Sequence, residues 1–179
     1  MALDYVIDGK IAVDLTAVYA STSAGSVNLM PATVGEQVYT SNGGVYRFAR
    51  CASDCVPFDA VIFGPYGDSA SATPTQSFVP VTTTNAAAQG WNAIGFVQNS
   101  VASSYYTWVA MAGSNIRVNC LIAAQPKIPL YTTSTAGKLD DATVSAGYVT
   151  GVVINTSATS ASAPYCYANW PKVIVLGAG

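Results

Sequence analysis

The chain has 179 residues, of which 51% are hydrophobic and only 9% are charged, and it contains no histidine. Because soluble domains usually carry about 25% charged residues, we expect a surface of hydroxyls, amides and backbone, or one covered by neighbouring subunits. Seven Lys and Arg accompany nine Asp and Glu, so we expect no basic patch for nucleic acid. The apolar runs are far shorter than the roughly 20 residues of a membrane-spanning helix, so we expect no membrane partner.

The N-terminal residues do not have the pattern of a secretory signal. Asp4 and Asp8 precede Lys10, whereas such a signal has a basic start and an apolar stretch of about 7–15 residues. We therefore expect synthesis and assembly in a cytoplasm. Apolar residues alternate in residues 10–19, which favours an extended arm, although the Ala, Asp and Leu there also allow a short helix.

Two hairpins are predicted from paired β-rich segments. Asn42-Gly43 tolerates positive φ and divides residues 36–40 from residues 45–50. Gly113-Ser114 divides residues 105–112 from residues 115–122 and predicts a second tight hairpin. In its second arm Ile116, Val118, Cys120 and Ile122 alternate with more polar residues and are assigned to one buried face.

Further strands and loops complete an all-β pattern, with turn signals every ~8–12 residues. The predicted strands are residues 59–63, 76–82, 93–98, 127–132, 148–154 and 165–176, and the last contains Pro171, which suits an edge or a bulge. Small polar stretches predict loops at residues 67–75, 82–89 and 155–163. The predicted fold is a β-sandwich or barrel of short antiparallel strands and hairpins with an extended N-terminal arm. Residues 1–75 would form the arm and a small lobe, and residues 76–179 a compact C-terminal module, unless both form one domain.

Enzymatic chemistry has little support in this sequence. Without histidine there is no Ser-His or Cys-His pair and no His-ligated zinc. Asp140-Asp141 is the one adjacent carboxylate pair, and its polar surroundings are typical of a solvated turn. A carboxylate-dependent hydrolase is the rival interpretation and needs two acids converging in a pocket. We expect no catalytic residue, no metal and no cofactor.

The four cysteines leave one alternative open. Cys51 and Cys55 are separated by three residues, which is half of a structural zinc signature. A disulfide between them would suit a protein that ends outside a cell, whereas a cytoplasm keeps thiols reduced. Cys120 is expected to be a small apolar residue on the buried face of its strand.

Aromatic residues and arginines supply the candidate interface. Exposed tyrosine and tryptophan bind sugars or partner proteins, but Tyr106 and Trp108, two apart on one strand, are also typical of a β core. Arg117 lies on a predicted strand and is expected to pair with an acid or to face solvent. The candidate residues for an oligomer or partner interface are Tyr105, Tyr106, Trp108 and Arg117, and the other aromatic candidates are Trp91, Tyr165 and Trp170.

Over about two thirds of its length the chain resembles a family of small tailed-bacteriophage proteins that decorate or cement the capsid. The residues that carry the resemblance are Gly95-Phe96-Val97, Tyr106-Thr107-Trp108-Val109 followed by Gly113, Pro129-Leu130-Tyr131, Thr135-Ala136-Gly137-Lys138-Leu139 and Gly151-Val152-Val153, with Val38-Tyr39-Thr40 and residues 43–49 upstream. The chain differs at Thr107, where the usual pattern has glycine.

This resemblance implies a function without catalysis. Family members are mostly β proteins that form oligomers, often trimers, on the outer capsid surface and join neighbouring major capsid subunits. The implied partners are the major capsid protein and further copies of the chain, and the implied location is the virion surface. Residues 2–31 and 67–89 would lie on the capsid while the C-terminal module forms the oligomer. A phage tail fibre tip or receptor-binding knob that recognises host glycans is the alternative within virion proteins.

Overall fold

The structure, a computed structural model, describes residues 13–20, 32–64, 77–88, 93–143, 147–160 and 163–174. These residues are nearly all β and form one mixed sheet, which confirms the predicted fold class. The elements in chain order are β1 (Val18–Tyr19), β2 (Gln37–Tyr39), β3 (Val45–Cys51), β4 (Ala60–Gly64), β5 (Ser77–Pro80), α1 (Thr83–Ala88), β6 (Ile94–Val97), β7 (Tyr106–Arg117), β8 (Leu130–Thr132), β9 (Leu139–Asp140), β10 (Tyr148–Ile154) and β11 (Tyr165–Ile174).

Five of these strands pair in a closed ring. β3 pairs with β5, β5 with β4, β4 with β6, β6 with β7, and β7 again with β3. Side chains of β7 alternate across the ring wall, as the two-residue period of a strand requires. Val109 and Met111 belong to a buried cluster with Phe63 and Phe78, whereas Trp108 belongs to a different cluster. The ring is therefore a small barrel with a packed interior.

Two layers cover the outside of this barrel. β11, β10, β8 and β9 continue the sheet from β7, and their inner face packs against the barrel in the largest buried cluster. On another side, Val13, Leu15 and Tyr19 pack against Phe48 and Trp108. β1 pairs with β7 there, so the described part of the N-terminal arm is held by the barrel.

The first predicted hairpin is confirmed. β2 and β3 are antiparallel, with Tyr39 opposite Val45, and the amide of Thr40 donates to the carbonyl of Gly44 at 2.9 Å. Gly43 has a φ of 75°, which is the conformation that the Asn-Gly pair predicted. The other six predicted strands correspond to β4, β5, β6, β8, β10 and β11. Pro171 lies at a register shift between β10 and β11, so the bulge that it suited is present.

The second predicted hairpin is wrong. β7 runs without a turn through Gly113-Ser114, so the two predicted arms are one strand of 12 residues. Gly113 has a φ of 140° and pairs with Ala168 beside a register shift, so this glycine accommodates a bulge and not a reversal. Ile116 and Val118 are buried as predicted, whereas Ile122 follows the strand and is 71% exposed.

The predicted loop at residues 82–89 contains α1, so that prediction is also wrong. The Thr82 hydroxyl accepts from the Asn85 amide at 3.2 Å, and the Asn85 side chain accepts from the Thr82 amide at 2.7 Å. This reciprocal cap begins the helix, and Ala86 anchors it in the core. The loop predicted at residues 67–75 lies outside the described residues. The division at residue 75 stays a prediction, while strands from both of its sides pair within the barrel.

Candidate interaction surface

The outer face of β11 is rich in exposed aromatic side chains. Tyr165 and Tyr167 are 51% and 53% exposed, whereas Cys166 and Ala168, which alternate with them along the strand, are buried. The alternation follows from the strand period, because the small residues point into the core and the tyrosines point away from it. One strand thus has a tightly packed inner side and an exposed aromatic outer side.

The neighbouring strands extend this face. Val153 of β10 pairs directly with Tyr167 and is also exposed. Further along β10, the ring of Tyr148 lies 5.7 Å from the ring of Tyr131 on β8. We call this surface the β10–β11 face, defined by Ile128, Tyr148, Val153, Tyr165 and Tyr167. Exposed apolar patches of this kind often mark interaction sites.

A groove of about 350 Å³ runs along the same face. It lies at the bulge between β10 and β11, where Gly151 and Trp170 both have positive φ. Its lining combines Tyr148, Val153 and Tyr167 with polar groups from Lys127 and Asn169. The groove therefore offers apolar walls with a small number of polar contacts, the usual composition of a binding cleft.

Arg117 stands at the rim of this face and is held from several directions. It pairs with Tyr165 across the ladder between β7 and β11. Its Nε and Nη2 atoms donate to the carbonyl of Ala163 at 3.1 and 3.0 Å, and its guanidinium lies 4.3 Å from the ring centroid of Phe58. These contacts fix the cation before any partner arrives.

The other predicted interface residues lie elsewhere, near the start of β7. Trp108 is 1% exposed and packs in the core against Phe48. Tyr106 is half-buried and stacks on the same phenylalanine, while Tyr105 is exposed in the turn before the strand. The structure therefore brings Arg117, but not these three aromatic residues, to the β10–β11 face. The alternation of tyrosine with cysteine and alanine at residues 165–168 is the sequence signal that would have located this face.

The carboxylates that the structure describes make local structural bonds. Asp140 accepts from the amide of Asp141, and Asp141 accepts from the amide of Gln125, so both carboxylates of this pair bind backbone amides. Asp59 is 4% exposed, and burial raises the pKa of its carboxyl despite bonds from Asn119 and Val56. Within the described ranges, no cluster of three or more potential metal ligands is found.

The cysteines divide into two buried groups. The Sγ atoms of Cys51 and Cys55 lie 3.6 Å apart. Because the two thiols share a hydrogen bond, the pKa of Cys51 is lowered while that of Cys55 is raised. Burial raises the pKa of both Cys120 and Cys166 to about 12, so these two thiols stay protonated at neutral pH.

Comparisons with known proteins give no assignment for this chain. No protein-family model, no curated protein and no solved structure matches it. Among the described helical residues, none belongs to a helix with the length and apolar character needed to cross a lipid bilayer.

Proposed function

We propose that this chain is a non-enzymatic structural protein of a tailed-bacteriophage virion. In this role it binds the outer capsid surface and cements neighbouring major capsid subunits, after assembly in the host cytoplasm. The observation that carries the proposal is the β10–β11 face, an exposed aromatic surface on a protein with only 9% charged residues. The resemblance of the sequence to capsid decoration proteins supplies the class of partner.

The chemistry of this face suits adhesion to another protein. Tyrosine contributes a large contact area at low entropic cost and is enriched at the centre of interfaces. A stable contact buries about 1,000 Å² or more, and a contact made by tyrosine rings, hydroxyls and backbone loses little to salt. Arg117 at the rim would add one pre-ordered cation for a carboxylate or carbonyl of the partner.

Cementing requires at least two attachments for each assembled unit. In this proposal the β10–β11 face takes the capsid contact that the resemblance had assigned to residues 2–31 and 67–89. A homotrimer would provide three copies of this face and would hold subunits on either side of a capsid seam. Ligands that bind only the intact state stabilise it by mass action, so such a clamp would favour the closed shell over a cracked one. This effect matters when the packaged genome loads the shell from inside.

Purified capsid shells that lack this chain provide the test. Adding the chain should give saturable co-sedimentation with the shells and should restore their resistance to heat and to low salt. The solution mass should exceed the 18.4 kDa of one chain, with three chains per particle expected. An 18.4 kDa monomer that neither binds nor protects shells would overturn the proposal.

The groove favours one second candidate, a receptor-binding knob for host glycans. Tyr148 and Tyr167 line it together with Asn169 and Lys127, and sugar rings stack on aromatic faces while amides and ammonium groups bind their hydroxyls. A knob would bind host polysaccharide with loss of affinity in Tyr167→Ala, and it would not bind capsid shells. The same shell assay therefore separates the two candidates.

A further inference from the structure

Cys51 and Cys55 lie at the two ends of a short turn whose backbone is fixed on both sides. The amide of Cys51 donates to the carbonyl of Tyr105 at 2.7 Å, and its carbonyl accepts from the amide of Ser104 at the same distance. Cys55 exchanges two backbone hydrogen bonds with Val101, of 2.9 and 3.0 Å. Both cysteines are therefore tied to one neighbouring segment, residues 101–105.

Side chains of the turn strengthen this attachment. Asp54 accepts from the amide of Ser103 at 2.7 Å, and the hydroxyl of Ser103 donates to the carbonyl of Ala52 at 3.2 Å. Because residues 101–105 form hydrogen bonds both with the two cysteines and with residues between them, the fold sets the spacing of the two thiols.

The two thiols face each other in a buried position. Cys51 is 0% and Cys55 is 4% exposed, and their Sγ atoms are 3.6 Å apart. Both thiols also lie within reach of one carbonyl oxygen, that of Ser53, at 2.9 and 3.3 Å. To form a disulfide, the sulfurs would move from 3.6 Å to the bonding distance of about 2.05 Å. Ser53 and Asp54, which lie between the two cysteines in sequence, are exposed, so the turn that carries the pair reaches the protein surface.

We propose that Cys51 and Cys55 are a dithiol site that a low-molecular-weight disulfide, such as glutathione disulfide, oxidises to an intramolecular disulfide in the folded protein. One cysteine thiolate attacks the reagent, forms a mixed disulfide and releases one glutathione thiolate. The second cysteine thiolate attacks the sulfur of the first and releases the other glutathione. The protein loses two protons and two electrons, and one glutathione disulfide becomes two glutathione molecules.

The shared hydrogen bond supports this chemistry. A thiolate is the nucleophile in disulfide exchange, and the Cys55 thiol can donate to the Cys51 thiolate, which lowers the pKa of Cys51. Cys120 and Cys166 have raised pKa values and form the matched internal control. The site is independent of the capsid role, because it needs only an oxidising environment after folding.

Peptide mapping of the native wild-type protein tests the proposal. Trypsin cleaves after Arg50 and Arg117, so peptide 51–117 contains only Cys51 and Cys55, while peptide 118–127 contains Cys120 and peptide 139–172 contains Cys166. The protein is equilibrated with glutathione disulfide, then unfolded and alkylated without reduction. Peptide 51–117 should be lighter by two hydrogens and carry no alkyl group, while the other two peptides each carry one. Two alkyl groups on peptide 51–117, or a persistent glutathione adduct there, would overturn the proposal.

Thermal unfolding provides the second readout. Closing this small loop should raise the Tm of the oxidised wild type by about 4–8 °C relative to the reduced protein. Cys120→Ser should keep this difference, and Cys55→Ser should abolish it. A lower Tm in the oxidised wild type would contradict the proposal that the fold holds the two thiols in position for a disulfide. If Cys55→Ser does not fold, the peptide map of the wild type tests the proposal alone.

Discussion

Arg117 and Tyr165 are directly opposite each other on β7 and β11, with the guanidinium carbon 5.5 Å from the centroid of the tyrosine ring. The same guanidinium is bonded to the carbonyl of Ala163 and stacked on Phe58. The arginine therefore joins three chain segments at the rim of the β10–β11 face. These contacts depend on the planar shape and the several N–H donors of the guanidinium group, and not on its charge alone.

Arg117→Lys should destabilise the protein although it keeps the charge. Lysine cannot donate two converging bonds to the single carbonyl oxygen of Ala163 or stack on the Phe58 ring in the same way, so we expect a loss of about 1 kcal/mol in unfolding free energy. Urea unfolding of the wild type and the variant measures this difference. An Arg117→Lys variant with wild-type stability would contradict an anchoring role for the guanidinium fork.

Trp108→Ala should lower the unfolding free energy by roughly 3–5 kcal/mol, because the ring is fully buried and lies 5.1 Å from the ring of Phe48. Tyr105→Ala is the matched control from the adjacent turn, and its cost should stay within about 1 kcal/mol. Urea unfolding monitored by circular dichroism checks both variants. If Trp108→Ala melts as the wild type does and loses only self-association, the ring acts at an interface and not in the core.

Comparing the stability of Gly151→Ala with that of Gly43→Ala distinguishes the cost of steric overlap from the cost of backbone strain. Both glycines have similar positive φ values, 74° and 75°. A Cβ at Gly151 would lie 2.6 Å from the carbonyl oxygen of Asn169, whereas a Cβ at Gly43 meets open space. We expect Gly43→Ala to cost about 1 kcal/mol and Gly151→Ala about 3 kcal/mol. Equal losses in chemical denaturation would show that the bulge does not need a glycine for close packing.

Asp59→Asn should change how stability depends on pH. Burial raises the pKa of Asp59, so the folded state holds this proton more tightly than the unfolded state does. The resulting stabilisation is present below the ordinary pKa and is lost as pH rises through the folded pKa. The stability of the wild type relative to Asp59→Asn should therefore fall as the pH rises above about 3.9, the ordinary pKa of an aspartate, and through the raised pKa of the folded state. A difference that stays constant or grows over this range, measured by urea unfolding, would contradict the raised pKa.

Local sequence patterns predicted most strands and one of the two hairpins. Asn42-Gly43 specified a turn because its positive φ is a local requirement. Gly113-Ser114 satisfied the same local requirement, but long-range pairing of β7 with β3 on one side and β11 on the other kept the strand continuous through a bulge. The dependence of a glycine's role on distant partners explains why the sequence alone could not distinguish the two cases.

The candidate site was only partly predictable for a related reason. The positions of tyrosine and tryptophan in the sequence do not reveal which side of the sheet is covered by another segment of the chain. Trp108 is buried because residues 13–20 pack over it, while Tyr167 is exposed because nothing in the described chain covers β11 on that side. Arg117 lies at the rim of the β10–β11 face because it pairs with Tyr165 between β7 and β11, and sequence spacing does not predict this pairing.

The most direct test of adhesion through the β10–β11 face compares shell binding of Tyr167→Ser and Tyr39→Ser. The two tyrosines are similarly exposed, at 53% and 48%, but Tyr39 lies on β2, which is separated from β11 by β3 and β7. With capsid shells that lack this chain, Tyr167→Ser should weaken binding about tenfold or more, while Tyr39→Ser binds as the wild type does. Wild-type binding by Tyr167→Ser would contradict the account.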